Sequence, residues 1–345
     1  MRNDDSRSID PAGAAGHPYP IRRSHEQDAA PQRAEPLRAA AIDVGSNAIR
    51  FLAAELDGSG GLATLAYDRA AVRLGHDVFE TGRIGSELLE AAVAALVQFR
   101  ERMDALGITR YRAVATSAVR ESANGPELIE RARTAAGIVL ETIGGFEEAE
   151  LVLRAVRAHV PIASAPWLLV DIGGGSVEIT LADAERILDT ASHPAGAVRL
   201  LEQFGHGDAA DLRRAIEARV AALPLPGVAG QAVAGFVATG GNSDALADLR
   251  EPQAASRGVS RLSLGWLRET IERLAAASLE ERMSWGLRAD RADVILPAAI
   301  IYEGLCTRAR CDELWIPRVG VREGVILDVA KHRKVEGASN GLNQG

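Results

Sequence analysis

The chain has 345 residues, of which 47% are hydrophobic and 25% charged, and its formal net charge is −8. This composition is typical of a soluble globular chain, and the negative charge argues against nonspecific binding to nucleic acid over the whole surface. No apolar run reaches the ~20 residues that a membrane helix needs, so we expect neither a nucleic-acid nor a membrane partner.

Prolines are scattered through the first 36 residues among charged residues and alanines, without a periodic apolar set. This segment also lacks the continuous apolar core of a secretory signal, so we predict a disordered tail over residues 1–36. The two cysteines, Cys306 and Cys311, have no further metal ligands close to them in the sequence. They favour a reducing, cytoplasmic setting.

One pattern occurs twice: an apolar strand, then Asp-aliphatic-Gly, then a polar turn and a second alternating strand. The copies are residues 40–52 and 169–181, and aligning Asp43 with Asp171 places Gly45 on Gly173. Each copy predicts a β-hairpin. A fold built from two such hairpins would place two anion-binding turns across one cleft.

Apolar periodicity predicts alternating strands and helices around these hairpins. Between the copies the predicted elements are a strand at 62–74, a helix at 87–106, a strand at 111–115, a helix opening near Pro126, a strand at 138–143 and a helix at 146–159. The order then repeats, with a strand at 187–192, a helix at 208–223, a strand at 232–239, a helix through Leu249 and a long helix at 293–308. This repetition predicts a duplicated α/β fold with mixed sheets and helices on their faces.

The glycines of the two turns indicate phosphate binding. Glycine permits positive φ and a close approach of backbone N–H groups to a ligand, so successive amides can converge on one phosphate. An aspartate beside such a turn would repel a bare phosphate unless a divalent cation such as Mg²⁺ lay between them. The alternative is two ordinary hairpins with glycine turns. It stays open for the first copy, whereas three glycines between Asp171 and Glu178 favour phosphate binding at the second.

Several motifs occur in an order known from one protein family. They are Asp43-Val44-Gly45-Ser46-Asn47, Ala115-Thr116-Ser117-Ala118-Val119-Arg120-Glu121, Gly145-Phe146-Glu147-Glu148-Ala149, Asp171-Ile172-Gly173-Gly174-Gly175-Ser176-Val177-Glu178, Thr239-Gly240-Gly241 and Arg291-Ala292-Asp293-Val294-Ile295-Leu296-Pro297. In this combination, over residues 37–329, the chain closely resembles the exopolyphosphatase and guanosine pentaphosphate phosphohydrolase (Ppx/GppA) family.

The resemblance implies the fold of actin, Hsp70 and the sugar kinases, in which a ribonuclease H-like α/β domain is used twice around a central cleft. We therefore expect an N-terminal domain over 37–145, with 320–332 packing back on it, a C-terminal domain over 146–319 and a flexible tail over 333–345. The resemblance also implies a homodimer. We do not expect the C-terminal helical domain of longer family members, because too few residues follow the second half.

The implied activity is Mg²⁺-dependent, or Mn²⁺-dependent, release of terminal phosphate from inorganic polyphosphate, from guanosine pentaphosphate (pppGpp), or from both. Hydrolysis of a phosphoanhydride mostly requires charge neutralisation, in-line geometry and an oriented water. Asp171 and Glu178 would supply carboxylates for the cation, with Asp43 as a third ligand. Arg120, just beyond a strand end, would hold the next phosphate along.

The backbone amides expected to hold the phosphates belong to the two turns and to the start of a helix, where N–H groups point at an anion. They are those of Gly45, Ser46, Asn47, Gly173, Gly174, Gly175, Ser176, Gly240 and Gly241.

Glu148 matches the catalytic glutamate of the family and is our candidate for the general base that activates water. Glu147 lies beside it, and two adjacent residues on a helix point about 100° apart, so one can face the cleft while the other faces solvent. An acidic pair in a first turn also interacts favourably with the helix dipole, which is the alternative explanation for both residues.

Some positions keep two interpretations. Arg50 aligns with Glu178 and either meets phosphate or is a surface strand arginine, and an ion pair at a helix start accounts for Arg291 and Asp293. Hydroxyl side chains that are usual in the family are replaced by Ala48, Gly144, Val177 and Asn242. The rival function is therefore a weakly active or non-catalytic sensor of polyphosphate or (p)ppGpp. An ATP-dependent kinase is less favoured, because no separate acceptor site is visible.

Overall fold

The computed structural model describes residues 36–57, 61–227, 232–251 and 258–339, with side chains described up to residue 331. The tail predicted over residues 1–36 lies outside this part of the chain except for Pro36, and residues 340–345 of the second predicted tail lie outside it as well. Within the described ranges, no helix is both long and apolar enough to cross a bilayer.

The first sheet has five strands in the order β3-β2-β1-β4-β5. They are β1 (Leu37–Val44), β2 (Ile49–Leu56), β3 (Leu62–Ala70), β4 (Tyr111–Ala115) and β5 (Leu140–Thr142). Strands β1, β2 and β3 form an antiparallel meander, whereas β1, β4 and β5 run parallel. Central β1 reads as an almost continuous apolar run because both of its faces are covered.

Helices cover this sheet, and the last of them connects it to the second sheet. They are α1 (Leu74–Thr81), α2 (Ser86–Ala105), α3 (Ser117–Glu121), α4 (Gly125–Ala136) and α5 (Gly145–Arg157).

The second sheet repeats this topology, with the order β10-β11-β9-β6-β7-β8. Its strands are β6 (Trp167–Ile172), β7 (Val177–Ala182), β8 (Ile187–His193), β9 (Phe236–Thr239), β10 (Ser260–Ser263) and β11 (Glu313–Ile316). Strands β6, β7 and β8 correspond to β1, β2 and β3, and β9 and β11 continue in parallel as β4 and β5 do. The predicted fold class, two related actin-like α/β halves, is confirmed.

The remaining helices are α6 (Ala197–Phe204), α7 (Ala209–Ala222), α8 (Gly241–Arg250), α9 (Leu264–Ala276), α10 (Leu279–Ser284), α11 (Ala289–Ala292), α12 (Ile295–Arg308) and α13 (Val321–Ser339).

Alternate residues of the central strands pack into different hydrophobic cores. Ala40 and Ile42 of β1 belong to the core of the first half, whereas Ala39 and Ala41 face a core that lies between the two sheets. In β6 the residues alternate in the same way. Because the period of a strand is two, Asp43 at the end of β1 is aimed at the space between the sheets.

Helices α5 and α13 cross in that space. Helix α5 packs on β7 and β8 of the second sheet, and α13 packs on β1, β2 and β4 of the first. A Cβ on Gly324 of α13 would lie 2.1 Å from the carbonyl oxygen of Leu151 in α5, so the two backbones approach too closely for any side chain there. The two halves are thus joined through a pair of crossed helices.

Two of the elements that the sequence did not predict are short helices. The strand predicted at 62–74 ends at Ala70, and α1 begins at Leu74, which faces the core of the first half. The helix predicted at 293–308 corresponds to α12, and the unpredicted α11 lies before it. In both places the extra helix is short and lies within a few residues of its neighbour, so the apolar pattern alone did not reveal it.

Candidate active site

The two hairpin turns have the same geometry. In the first, the amide of Gly45 donates to the carbonyl of Ala48 at 3.1 Å; in the second, the amide of Gly173 donates to the carbonyl of Ser176 at 3.0 Å. These two glycine amides, predicted to hold phosphate, are therefore engaged in closing their own turns. The amides of Ser46, Asn47 and Gly174 make no hydrogen bond to any described residue, and they remain as donors.

The turns meet tip to tip. A Cβ on Gly174 would lie 2.9 Å from Ser46 Cβ and 3.3 Å from the amide nitrogen of Asn47. The Ser46 hydroxyl in turn lies 2.9 Å from that of Ser117, at the start of α3. Glycine at 174 is thus required by the close approach of the two halves, in addition to any role with a ligand.

A narrow cavity of about 60 Å³ lies where the turns meet. It brings together most of the predicted site residues: Asp43, Gly45, Ser46, Asn47, Glu148, Asp171, Gly173, Gly174, Ser176 and Gly241. Thr116 and Ser117 also line it, and sequence reasoning gave them no role although they lie in a family motif. Gly175 instead packs against Ser117 and Phe79, and Gly240 is not among the lining residues.

Glu148 points into this cavity from the first turn of α5 and is only 6% exposed. Its neighbour Glu147 is turned outward, where it accepts a hydrogen bond from Arg112 at 2.5 Å. Arg112 also reaches Glu141 on β5 and Asp328 on α13. The ion-paired outer face of α5 thus holds its first turn with Glu148 directed inward.

Two carboxylates of the second hairpin are held by hydroxyls on adjacent strands. Asp171 lies opposite Thr239 in the sheet register and accepts its hydroxyl hydrogen at 2.8 Å. Glu178 lies opposite Ser192 and accepts its hydroxyl hydrogen at the same distance. Glu178 does not line the cavity; it lies directly beside Asp171, its partner across the hairpin.

These carboxylates repel one another in a buried site. Burial raises the pKa of Glu148 well above its usual value, and the charges of Glu178, Asp171 and Asp43 add to the rise. Burial raises the pKa of Glu178 to about 7, with Asp171 acting in the same direction. Among the described residues, Oε2 of Glu148 and Oε2 of Glu178 find no hydrogen-bond partner.

The carboxylate cluster suits a divalent cation whose remaining ligands come from water and the substrate. In the described part of the chain, no three Asp, Glu, His or Cys side chains already converge as a metal cage. Mg²⁺ in phosphoryl-transfer sites is usually held by one or two carboxylates together with water and phosphate oxygens, so such a cage is not needed. Buried carboxylates with unpartnered oxygens and raised pKa values are the groups that a cation would stabilise.

Arginines form the opposite side of the cavity. Arg50 pairs with Asp43 at 3.1 Å across the first hairpin, and it lines the cavity instead of the outer surface. Arg291 is 3% exposed and donates to the side-chain oxygen of Asn242 at 2.8 Å. Burial, together with the charges of Arg50 and Arg69, lowers the pKa of Arg291 to about 9.

The predicted ion pair between Arg291 and Asp293 is wrong. Asp293 pairs with Arg73 of the first half at 2.6 Å, whereas Arg291 of α11 lines the cavity. Arg120, predicted to hold a phosphate, does not line the cavity; it donates to the carbonyl of Ile143 at 2.5 Å. Its charge still opposes the rise in the pKa of Glu148 that burial causes.

The four positions without the family's usual hydroxyl have different surroundings. Ala48 lines the cavity, so a contact could be missing there. Val177 is part of the core of the second half, and Asn242 binds Arg291. Gly144 precedes α5 as an N-cap without a side-chain hydrogen bond. Only the first of these departures therefore changes the lining of the cavity.

A second cavity, of about 280 Å³, adjoins the first and shares Arg50, Gly241 and Arg291 with it. Three further arginines line it: Arg288, Arg318 and Arg322. Its wall also holds Asp244, whose Oδ1 has no partner among the described residues and whose pKa is raised to about 6 by burial.

Paired α/β halves, facing glycine turns and a buried carboxylate cluster define the chain as an actin-like protein whose cleft suits phosphate chemistry. The chain belongs to the Ppx/GppA phosphatase family, whose sequence pattern matches residues 53–333.

Several relatives match most of the chain in sequence or in structure. Exopolyphosphatase 2 of Mycobacterium tuberculosis strain H37Rv is 32% identical over an alignment 315 residues long, which covers 85% of this chain and 98% of that protein. An exopolyphosphatase from Cytophaga hutchinsonii has a solved structure with a TM-score of 0.79 and 28% identity, covering 84% of this chain and 98% of that one. The Aquifex aeolicus member of the Ppx/GppA family superposes with a TM-score of 0.73 at 26% identity, covering 86% and 99%.

Proposed function

We propose that the protein is an exopolyphosphatase that releases terminal orthophosphate from inorganic polyphosphate with the help of Mg²⁺ or a similar cation. The observation that carries this proposal is the convergence of Glu148, the two facing turns and Asp171 in one narrow cavity. The similarity to two exopolyphosphatases supports it.

The terminal phosphate would be held by backbone amides and by arginine. Ser46, Asn47 and Gly174, whose N–H groups bond to no described residue, line the cavity from two sides, and Gly241 adds the N-terminus of α8. Arg50 and Arg291 neutralise negative charge that develops on the phosphate oxygens. Asp171 and Glu178, with Asp43 as a third group, would hold the cation, which neutralises phosphate charge and orients the substrate.

Glu148 would accept the proton of the attacking water. A raised pKa makes a carboxylate a stronger base when it is ionised, and a bound cation would keep enough of it ionised near neutral pH. Because Glu148 projects from the first turn of a helix fixed on both faces, its position relative to the turns is set before substrate binds.

The arginine-lined cavity would take the rest of the polyanion. Its volume of about 280 Å³ and its five arginines suit the phosphates that follow the terminal one. A second candidate function, hydrolysis of pppGpp, is favoured by Asp244, because a buried carboxylate with a free oxygen could accept hydrogens from a guanine base, which polyphosphate does not have.

Release of phosphate from long polyphosphate, tripolyphosphate and pppGpp, each with Mg²⁺ and with chelator, tests the proposal. Glu148→Gln should lower kcat by about 10²- to 10⁴-fold, the usual contribution of a general base. Glu150→Gln is the matched control, because Glu150 lies on the same helix and is exposed to solvent. Its rate should stay within about twofold of that of the unchanged protein.

The competing sensor function gives a different result. If the unchanged protein and Glu148→Gln release phosphate at the same negligible rate while both still bind polyphosphate or ppGpp, the protein is a sensor and the hydrolase proposal is wrong. We also expect a homodimer, as the family resemblance implies, and a cytoplasmic location, as the two cysteines favour. Light scattering of the purified protein tests its oligomeric state.

A further inference from the structure

Asp290 in α11 is the centre of a group of cations and one amide drawn from both halves of the protein. Arg69 of β3 binds it through both terminal guanidinium nitrogens, forming a buried ion pair. The side-chain nitrogen of Asn47 donates to the Asp290 carbonyl at 2.9 Å and lies 3.5 Å from its carboxylate. Arg288 and Arg291 lie 3.5 and 3.9 Å from the same carboxylate.

This arrangement offsets the repulsion among arginines that lie close together beside the cavity. Arg50 and Arg69 lie opposite each other on β2 and β3, and Arg291 is buried next to both. Guanidinium groups crowded in this way repel one another and lose hydration, so they stay together only with a counter-anion. Substrate phosphate can supply that anion after binding. Before substrate binds, Asp290 supplies the anion, since its carboxylate contacts both Arg69 and Arg291.

Asp290 does not take the place of the substrate. It lines neither the cavity at the turns nor the arginine-lined cavity, although Asn47 and Arg291 line the first and Arg288 and Arg291 line the second. It therefore lies behind the groups that face the substrate, where an anion holds them without blocking access.

We propose that Asp290 is a positioning residue: a fixed internal anion that holds Asn47 and Arg291 in place on the cationic side of the catalytic cavity. Through Asn47 it also ties the first hairpin turn to the second half of the protein. This proposal rests on the proposed function for its kinetic consequences, but its structural consequence, a fixed first turn, can be measured without activity.

Asp290→Asn tests the proposal, and Asp293→Asn is its matched control. Asp293 lies three residues further on and also forms an ion pair with an arginine of the first half, yet its partner Arg73 does not line the cavity. For Asp290→Asn we expect kcat on polyphosphate to fall about tenfold or more, since small displacements of positioning groups are costly. KM should stay the same or fall, because the variant has lost a negative charge near the polyanion.

The control should change both constants by less than about twofold. If Asp290→Asn has an unchanged or increased kcat, or a fall no larger than that of Asp293→Asn, the positioning role is wrong. The double variant Arg69→Gln/Asp290→Asn covers the case in which the single variant does not fold, because it leaves no unpaired buried arginine at 69. Its kcat should remain low; recovery to the unchanged rate would show that Asp290 serves only Arg69.

Hydrogen exchange gives a readout that does not depend on catalysis. Amides in residues 43–50 should exchange faster in Asp290→Asn than in the unchanged protein and in Asp293→Asn, because the carbonyl of residue 290 that holds Asn47 is no longer fixed by the buried ion pair with Arg69. Equal exchange in all three proteins would overturn the proposal. A protein that hydrolyses none of the substrates would refute the proposed function, while the exchange data would still decide the role of Asp290.

Discussion

Each carboxylate that we propose for the cation is held by the residue opposite it on the next strand. Thr239 donates to Asp171, and Ser192 donates to Glu178, both at 2.8 Å. A hydroxyl partner fixes the rotamer of a carboxylate and leaves its other oxygen available to a ligand. These two partners follow from strand register, so they depend on which strands pair and not on nearby sequence.

Thr239→Val should weaken cation binding. The substitution keeps the shape of the side chain but removes the hydrogen bond to Asp171, so the carboxylate loses its fixed orientation. Loss of such an outer partner typically costs 10- to 100-fold in metal affinity or activity. We expect the Mg²⁺ concentration for half-maximal phosphate release to rise about tenfold.

Thr180→Val is the matched control for this experiment. Thr180 is a buried threonine of the same sheet, and its hydroxyl binds that of Thr190 and not a carboxylate of the site. Its Mg²⁺ requirement should stay close to that of the unchanged protein. An equal Mg²⁺ requirement in both variants would show that Thr239 does not orient a cation ligand.

At the scale of elements, the position of Glu148 depends on how α5 is fixed. Its inner face packs into the central core, its outer face is ion-paired through Glu147 and Arg112, and α13 crosses it at Gly324. A shift of α13 relative to α5 would therefore displace Glu148, the proposed base, relative to the turns.

Gly324→Ala should destabilise the protein and lower its activity. The new Cβ would lie 2.1 Å from the carbonyl oxygen of Leu151, and this contact is with backbone, so the helices must move apart. Overpacking of this kind typically costs about 1–3 kcal/mol in the free energy of unfolding. Urea denaturation and kcat together measure the effect.

Gly320→Ala provides the comparison, since a Cβ at that position would meet no atom within 4 Å. Its stability should stay within about 0.5 kcal/mol of the unchanged protein. If the two variants were equally stable, the crossing would not be the tight contact that we describe.

The local patterns of the sequence predicted both hairpins, their alignment and the way strands and helices alternate along each half. They did not predict α6, although its apolar residues recur at helical spacing, because its 8 residues are fewer than the about 11 to 18 over which such a period is counted. The contact between Asn47 and Asp290 joins residues 243 positions apart. Such a pair depends on how the halves are arranged, which no local pattern records.

Among the residues that the structure describes, the fold buries four acidic side chains near one cleft: Asp43, Glu148, Asp171 and Glu178. Burial raises the pKa of Glu178 from 4.5 to about 7 and that of Asp244 from 3.8 to about 6, while Glu148 shifts in the same direction. This burial destabilises the folded protein near neutral pH, because the same carboxyl groups ionise at a lower pH in the unfolded chain. A cation or an ordered substrate complex would reduce the cost.

In the presence of chelator, the protein should lose stability as the pH rises from about 5 to about 7.5. In this window the folded state binds more protons than the unfolded state, because Glu178 and Asp244 have raised pKa values, and stability then falls with increasing pH. The urea midpoint should therefore be higher near pH 5 than near pH 7.5, and Glu178→Gln should flatten this dependence because Gln does not titrate.

Addition of Mg²⁺ at about pH 7.5 should restore part of the lost stability, since an ion that binds only the folded state stabilises it by mass action. The same addition near pH 5 should do less, because protons and the cation compete for the same carboxylates. A urea midpoint that rises with pH in chelator, or a Mg²⁺ effect that is equal at both pH values, would mean that the buried carboxylates are not coupled to a cation site. The coupling of proton and cation binding would thus relate the stability of the whole fold to the cluster at the meeting point of its two hairpins.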